Sequence, residues 1–290
     1  MQKGCAFLMF WASFMFSVAA NADKTEDVAH LCQKITQKLH SVNLEECQSF
    51  DFDTHKISSV LNMPLLMKEF KGVMDHDVPK VLFIAGIHGD EYSSVSATFK
   101  WLKILEENHA DKFHWLFLPL ANPDGLLRKN AQRMNANNVD LNRNFPPEGG
   151  ESASLDYWKV KTAKDPRRFP GLLPVSEPET KAIMDIIDDF KPEVIVSVHA
   201  PYDLLDFDGE AYAPEKFGPL DLKLLGTYPG SLGNYAWVRL NIPVITLELP
   251  HAGIMPKNSE IRDIWEDLVF WLKNEHPKIK SAQLKSSPTS

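Results

Sequence analysis

The sequence predicts one α/β domain: a sheet of short buried strands with helices on both faces. Three observations carry this expectation. From Val81 onward, short apolar runs alternate with amphipathic segments, the pattern of strands followed by covering helices. The 290 residues, 44% hydrophobic and 24% charged, suffice for one large core and exclude collagen-like, low-complexity and disordered chains. No internal repeat and no second hydrophobic core is visible along the chain.

Residues 1–22 stand outside that fold. Met1 to Lys3 give a short positive start, Cys5 to Ala19 an almost unbroken apolar run, and Ala20-Asn21-Ala22 the small-x-small pattern of a signal-peptidase site. The run is shorter than the ~20 residues that span a bilayer, and no later segment reaches that length. Cleavage after Ala22 is expected, leaving an exported chain, periplasmic or otherwise outside, soluble and without an integral membrane segment. The formal charge of −8 becomes more acidic once Lys3 is removed, which argues against a nucleic-acid partner.

Residues 23–80 are polar and weakly patterned, a lead-in packed on the domain with a helix around Glu26 to Leu39 and an extended stretch from His55. Cys5 leaves with the leader, so Cys32 and Cys47 remain as an isolated pair in an oxidising compartment. A structural disulfide is expected, with two buried free thiols as the alternative.

Residues 81–274 carry the regular pattern. Val81–Ile87, Phe113–Leu120, Val194–Val198 and Val244–Leu247 read as buried strands, and Tyr92 to Glu106 as a helix. A second helix is expected to open at Ser176 as N-cap of a capping box, with Glu179 reaching back, and to end at Lys191-Pro192. The last helix, Ser259 to Lys273, puts Ile261, Ile264, Leu268 and Trp271 on one face. Residues 275–290, rich in Lys, Ser and Pro, read as a flexible tail.

Ligands of open α/β sheets bind beyond the carboxyl ends of the strands. Three such ends carry chemistry here: His88-Gly89-Asp90-Glu91, His199 and Glu248. His88 and Glu91 are three apart across a strand-to-helix turn that Gly89 permits, so an imidazole and a carboxylate can converge on one ion. With His199 they form a His₂Glu set, and three protein ligands leave a fourth position for water, the arrangement of a catalytic zinc site. Taken alone, each piece is weak: His88 also reads as a turn histidine and His199 as a core histidine.

The wider pattern decides between these readings. His88-x-x-Glu91, Asn122-Pro-Asp-Gly125, Val139-Asp-Leu-Asn-Arg-Asn-Phe145, Ser176-Glu-Pro-Glu-Thr180, Ser197-Val-His199, Pro229-Gly-Ser231 and Ile245-Thr-Leu-Glu248 follow one another. In that order they resemble the zinc carboxypeptidase family, in particular its small bacterial branch of murein peptide amidases and cell-shape carboxypeptidases. The resemblance covers about Val81 to Trp271. It implies a single domain with a mixed, mostly parallel sheet flanked by helices, and one Zn²⁺ per chain on His88, Glu91 and His199. It further implies that Asp140 accepts a hydrogen bond from His88 and that Asn142 and Arg143 hold the substrate's terminal carboxylate. Arg133, with Arg128 as competitor, would steady the oxyanion, and Glu248 would be general base and then proton donor. Tyr228 lies near the loop that closes over substrate in the larger digestive relatives, in a register that leaves its role open. The neighbouring loop, the part that shapes the pocket for the terminal side chain in the family, reads Gly230-Ser-Leu-Gly-Asn234, small and neutral.

The activity implied is hydrolysis of the γ-D-glutamyl–meso-diaminopimelate bond of murein peptides. The alternatives are a carboxypeptidase for α-linked peptides, a zinc deacylase of N-acyl amino acids, and a non-catalytic module that binds wall peptides. The sequence contains neither H-E-x-x-H nor G-x-S-x-G, so those hydrolase schemes are disfavoured.

Overall fold

A computed structural model describes residues 26–72, 78–108, 112–210 and 212–275. The expected leader and residues 276–290 of the expected tail lie outside the described residues. No helix among the described residues is long and apolar enough to cross a membrane.

The central sheet has seven strands: β1 (Asp53–Thr54), β2 (Leu66–Phe70), β3 (Lys80–Ala85), β4 (His114–Leu118), β5 (Val194–His199), β6 (Leu204–Asp208) and β9 (Val244–Glu248). A separate small hairpin is formed by β7 (Lys216–Phe217) and β8 (Leu220–Asp221). The spatial order is β1-β2-β4-β3-β5-β9-β6. The four strands β4, β3, β5 and β9 run parallel, while β1, β2 and β6 are antiparallel additions at the two edges. The sheet is therefore mixed with a parallel centre, as the resemblance implies.

The period of two along a strand distributes each strand between two cores. In β3, Val81, Phe83 and Ala85 enter one layer, and Leu82 and Ile84 the other. The first layer is covered by α3 (Tyr92–Asn108), α7 (Asn258–Asn274) and the N-terminal helices α1 (residues 26–38) and α2 (Leu44–Ser49). The second is covered by α6 (Pro178–Phe190), with Phe145 stacked on Tyr235. The apolar residues thus form two layers, one on each face of the sheet, as helices on both faces require. Ile261, Ile264, Leu268 and Trp271 of α7 are all buried in the first layer.

Cys32 and Cys47 are disulfide-bonded, with Cα atoms 5.8 Å apart, and tie α1 to α2 inside the first layer. The lead-in does more than pack on the domain, because its β1 and β2 extend the sheet. Its loop at residues 59–61 is also clasped to α4 (Pro123–Leu127): Ser59 Oγ donates to Asp124 Oδ1 at 2.7 Å and Leu61 N to Asp124 Oδ2 at 2.9 Å.

The expected capping box at Ser176 does not form. The N-cap of α6 is Glu177, without a side-chain cap. Glu179 is drawn elsewhere: it accepts from Val60 N at 3.2 Å and from Asn135 Nδ2 at 3.0 Å. Ser176 Oγ instead donates to Glu177 Oε1 and accepts from Asn144 Nδ2.

Candidate active site

The parallel strands end on one side of the sheet, and their ends build the site. The turn after β3 carries His88 and Glu91, β5 ends on His199, and β9 ends on Glu248, which is paired in register with His199. Gly89 serves this turn through close approach. A Cβ there would overlap the backbone of Gly125 and Leu126 in α4, and its backbone φ is unremarkable. Asn122, the N-cap of α4, locks the same junction by donating to Ile87 O and Arg133 O, both at 3.1 Å.

His88, Glu91 and His199 converge, each 5% exposed or less. His88 Nδ1 lies 2.8 Å from Glu91 Oε1 and 3.1 Å from His199 Nδ1, and His199 Nδ1 lies 3.1 Å from Glu91 Oε2. Both histidines therefore turn Nδ1 inward. Their Nε2 atoms face supports: His88 Nε2 is 3.1 Å from Asp140 Oδ1, and His199 Nε2 is 3.0 Å from Ser197 Oγ. Such outer partners fix ring orientation in metal sites. The donors suit zinc, since tetrahedral coordination at ~2.0–2.2 Å puts ligand atoms roughly 3.3 Å apart, within a small outward shift of these separations.

Arg133 reaches over this cluster. Its Nε donates to Asp140 Oδ2 at 2.9 Å, and its Nη1 lies 3.5 Å from Glu91 Oε1, while Nη2 makes neither contact. Arg128 is exposed and does not line the cleft; its carbonyl accepts from Lys38 Nζ at 2.9 Å. Asp140 caps the turn Leu141–Arg143 by accepting from Asn142 N, which ties the arginine-and-histidine cluster to the next two residues.

Asn142 and Arg143 line the same cleft, which measures about 380 Å³. Asn142 Oδ1 accepts from Leu232 N at 2.8 Å, so its amide donors remain directed elsewhere. The Arg143 guanidinium lies 4.8 Å over the Tyr228 ring, a cation–π contact that holds its plane. Tyr228 in turn packs edge-on against Tyr157 at 5.9 Å. All the residues singled out in the sequence as ligands, base and clamp thus meet in one cleft, together with Arg133 and Tyr228.

The electrostatics follow from burial and charge. Burial alone would raise Glu91 and Asp140, but His88 and His199 hold Glu91, and Arg133 and His88 hold Asp140, well below the usual carboxylate range. Glu248, 7% exposed, goes the other way: burial, only partly offset by His199, raises its carboxyl above the ordinary value. Its Oε2 accepts from Tyr202 N at 3.4 Å.

Three groups were not legible as site residues. Ser197 acts through His199, and Asn135 braces the loop between Arg133 and Asp140 by donating to Glu177 and Glu179 at 2.7 and 3.0 Å. Asp206 and Asp208 of β6 line the cleft and make one wall acidic, beside the small, neutral residues of the loop at 230–234. The signal was present as Asp206-Phe207-Asp208, two acids at strand spacing on one face.

This fold and site define a zinc-dependent peptide hydrolase, and the chain belongs to the zinc carboxypeptidase family, whose profile matches residues 52–207. Murein peptide amidase A of Escherichia coli (strain K12) is 33% identical over 204 residues, 68% of this chain and 80% of that protein. Its namesake in Vibrio campbellii (strain ATCC BAA-1116) is 31% identical over 199 residues, 66% of this chain and 77% of that protein. Among solved structures, murein-tripeptide amidase MpaA from Escherichia coli O157 superposes with a TM-score of 0.54 and 27% identity, covering 75% of this chain and 90% of that one. Carboxypeptidase A from Helicoverpa armigera shares the fold, with a TM-score of 0.60 at 18% identity over 86% of this chain and 72% of that one.

Proposed function

We propose that the chain is an exported zinc carboxypeptidase that hydrolyses the γ-D-glutamyl–meso-diaminopimelate bond of murein peptides and releases the C-terminal residue. The observation that carries this reading is the convergence, in one cleft, of the His88–Glu91–His199 donors, Glu248 and the Asn142–Arg143 pair. The similarity to murein peptide amidases supports the substrate class. The leader-like pattern of residues 1–22 supports export, which would bring the enzyme to its murein substrate.

In this reading His88, Glu91 and His199 hold the zinc, which when bound acidifies water and polarises a carbonyl. Arg143 and the Asn142 amide pair with the terminal carboxylate, for which a planar guanidinium offers two parallel donors. Arg133 is anchored through Nε to Asp140, which leaves Nη2 for the scissile carbonyl oxygen as charge develops there. Glu248 takes a proton from the attacking water as the C–O bond forms, and returns it to the amine nitrogen as the C–N bond breaks. Its raised pKa suits both halves of that exchange. A buried base at this strand end favours an enzyme over a module that only binds wall peptides.

The test offers the purified, zinc-loaded protein L-Ala-γ-D-Glu-meso-diaminopimelate beside an α-linked peptide with the same C-terminal residue. Faster release from the γ-linked peptide is expected. Cleavage confined to the α-linked peptide would leave a carboxypeptidase but remove the murein assignment.

A further inference from the structure

We propose that Arg167 determines specificity on the acyl side of the scissile bond, by receiving the free carboxylate of the glutamyl residue whose carbonyl is attacked. The inference deepens the murein-peptide reading and rests on it for the choice of substrate.

In a γ-linked glutamyl residue the carbonyl that is cut belongs to the side chain, so the main-chain carboxylate stays free. Its carbon lies four bonds from the scissile carbonyl carbon, about 5 Å when extended. A carboxylate held that close to a partly enclosed site needs a cation or several donors to replace its lost hydration. Among the described residues four arginines line the cleft: Arg133, Arg143, Arg167 and Arg168. Arg143 serves the terminal carboxylate and Arg133 the scissile carbonyl, which leaves the pair at 167 and 168.

Both stand on the short turn Pro166–Arg168, which is pinned from three sides. Asp165 caps it by accepting from Arg167 N at 3.0 Å. Trp158, in α5 (Ala153–Lys161), donates from Nε1 to Asp165 O at 2.7 Å and meets the Phe169 ring edge-on at 5.0 Å. Phe169 O accepts from Asp140 N at 2.8 Å, so the turn is fastened to the same residue that supports His88 and Arg133.

The two arginines then part. Arg167 Nη2 donates to Asp90 Oδ2 at 2.7 Å, and Asp90 is the residue next to the ligand Glu91. Asp90 does not itself line the cleft, so it holds the guanidinium from behind, and Nε and Nη1 make no other hydrogen bond among the described residues. Arg168 is paired within its own turn, 3.6 Å from Asp165 Oδ2, and its charge bears on Arg143, the side of the released residue. Arg167 is thus the cation set beside the metal ligands with donors to spare, and its anchor lowers the cost of ordering a long side chain on binding.

The experiment measures kcat/KM for zinc-loaded wild type, Arg167→Ala and Arg168→Ala on L-Ala-γ-D-Glu-meso-diaminopimelate and on the same peptide with the glutamyl α-carboxylate amidated. The amide keeps the shape and removes the charge. Wild type should favour the acid by at least about 10-fold, the low end for a hydrogen bond between charged groups, as suits a side chain that is 57% exposed. That ratio should fall towards one in Arg167→Ala and persist in Arg168→Ala, with all three proteins melting alike because the Asp90 pair is a surface contact. A wild type indifferent to amidation, an unchanged ratio in Arg167→Ala, or a ratio lost in Arg168→Ala instead would overturn the proposal. In an α-linked glutamate the free carboxylate is also four bonds from the scissile carbonyl, so L-Ala-L-Glu-meso-diaminopimelate and its L-Gln counterpart separate the two readings. Cleavage of the α-linked peptides alone removes the murein assignment, and an acid preference there that Arg167→Ala abolishes still supports Arg167.

Discussion

Truncating Arg143 probes the carboxylate clamp most sharply. Its guanidinium is held by the Tyr228 ring at 4.8 Å and by one hydrogen bond to Asn142 O, which leaves its remaining donors to face substrate in the cleft. A charged, bidentate contact of this kind contributes on the order of 2–3 kcal/mol. At tenfold per ~1.4 kcal/mol, Arg143→Ala should lower kcat/KM by about 30- to 200-fold. Amidating the terminal carboxylate of the substrate removes the same contact from the other side. The amide should therefore cost wild type a similar factor and the variant little, since one interaction cannot be lost twice. Chromatographic rates for the four combinations give the coupling energy directly. Fully additive losses, or a wild type that cuts acid and amide equally fast, would refute the clamp and with it the exopeptidase assignment.

Glu248→Gln should keep the metal and the melting temperature but lose at least about 10²-fold in turnover, measured by steady-state kinetics on zinc-loaded protein. Because burial raises the Glu248 carboxyl and the base works ionised, wild-type kcat/KM should fall as pH drops through a value above the ~4.3 of a free glutamate. His199→Ala should strip metal and activity together, checked by elemental analysis; full occupancy in the variant would contradict the ligand set. Breaking the Cys32–Cys47 disulfide by Cys32→Ser/Cys47→Ser should destabilise by roughly 3 kcal/mol in denaturant titration, since the bond closes a loop between positions 15 apart. N-terminal sequencing of exported protein should begin at Asp23, and a retained Met1 would sink the leader assignment.

The parts of this molecule that were legible in the sequence share a physical reason. Parallel strands buried on both faces must be continuously apolar, so polar residues at their ends, His88, His199 and Glu248, stand out against the background. The antiparallel strands added at the two sides of the sheet give no such contrast. In β2, Lys68 and Glu69 interrupt the apolar run, and in β6 two aspartates occupy the cleft-facing positions. The acidic wall of the cleft, unlike the loop at residues 230–234, was not legible for a related reason. One wall of the cleft comes from β6, about 25 residues earlier in the chain, and only the antiparallel pairing with β9 brings it there. The capping box at Ser176 was a local pattern overridden by tertiary demand, since Glu179 serves Asn135 and Val60 and leaves the helix end to Glu177. Gly89 was placed correctly for an incomplete reason: the sequence suggested a tight turn, and the structure adds the crossing of α4.

The central claim is that one zinc sits between His88, Glu91 and His199, and anomalous diffraction on either side of the zinc absorption edge, from crystals of the purified protein, tests it directly. The account predicts a single peak at ~2.0–2.2 Å from Nδ1 of both histidines and a carboxylate oxygen of Glu91, with Nε2 of His88 still on Asp140 and Nε2 of His199 on Ser197. A map from zinc-replete protein with no peak at these three residues, or with the ion on Nε2 of either ring, would contradict it.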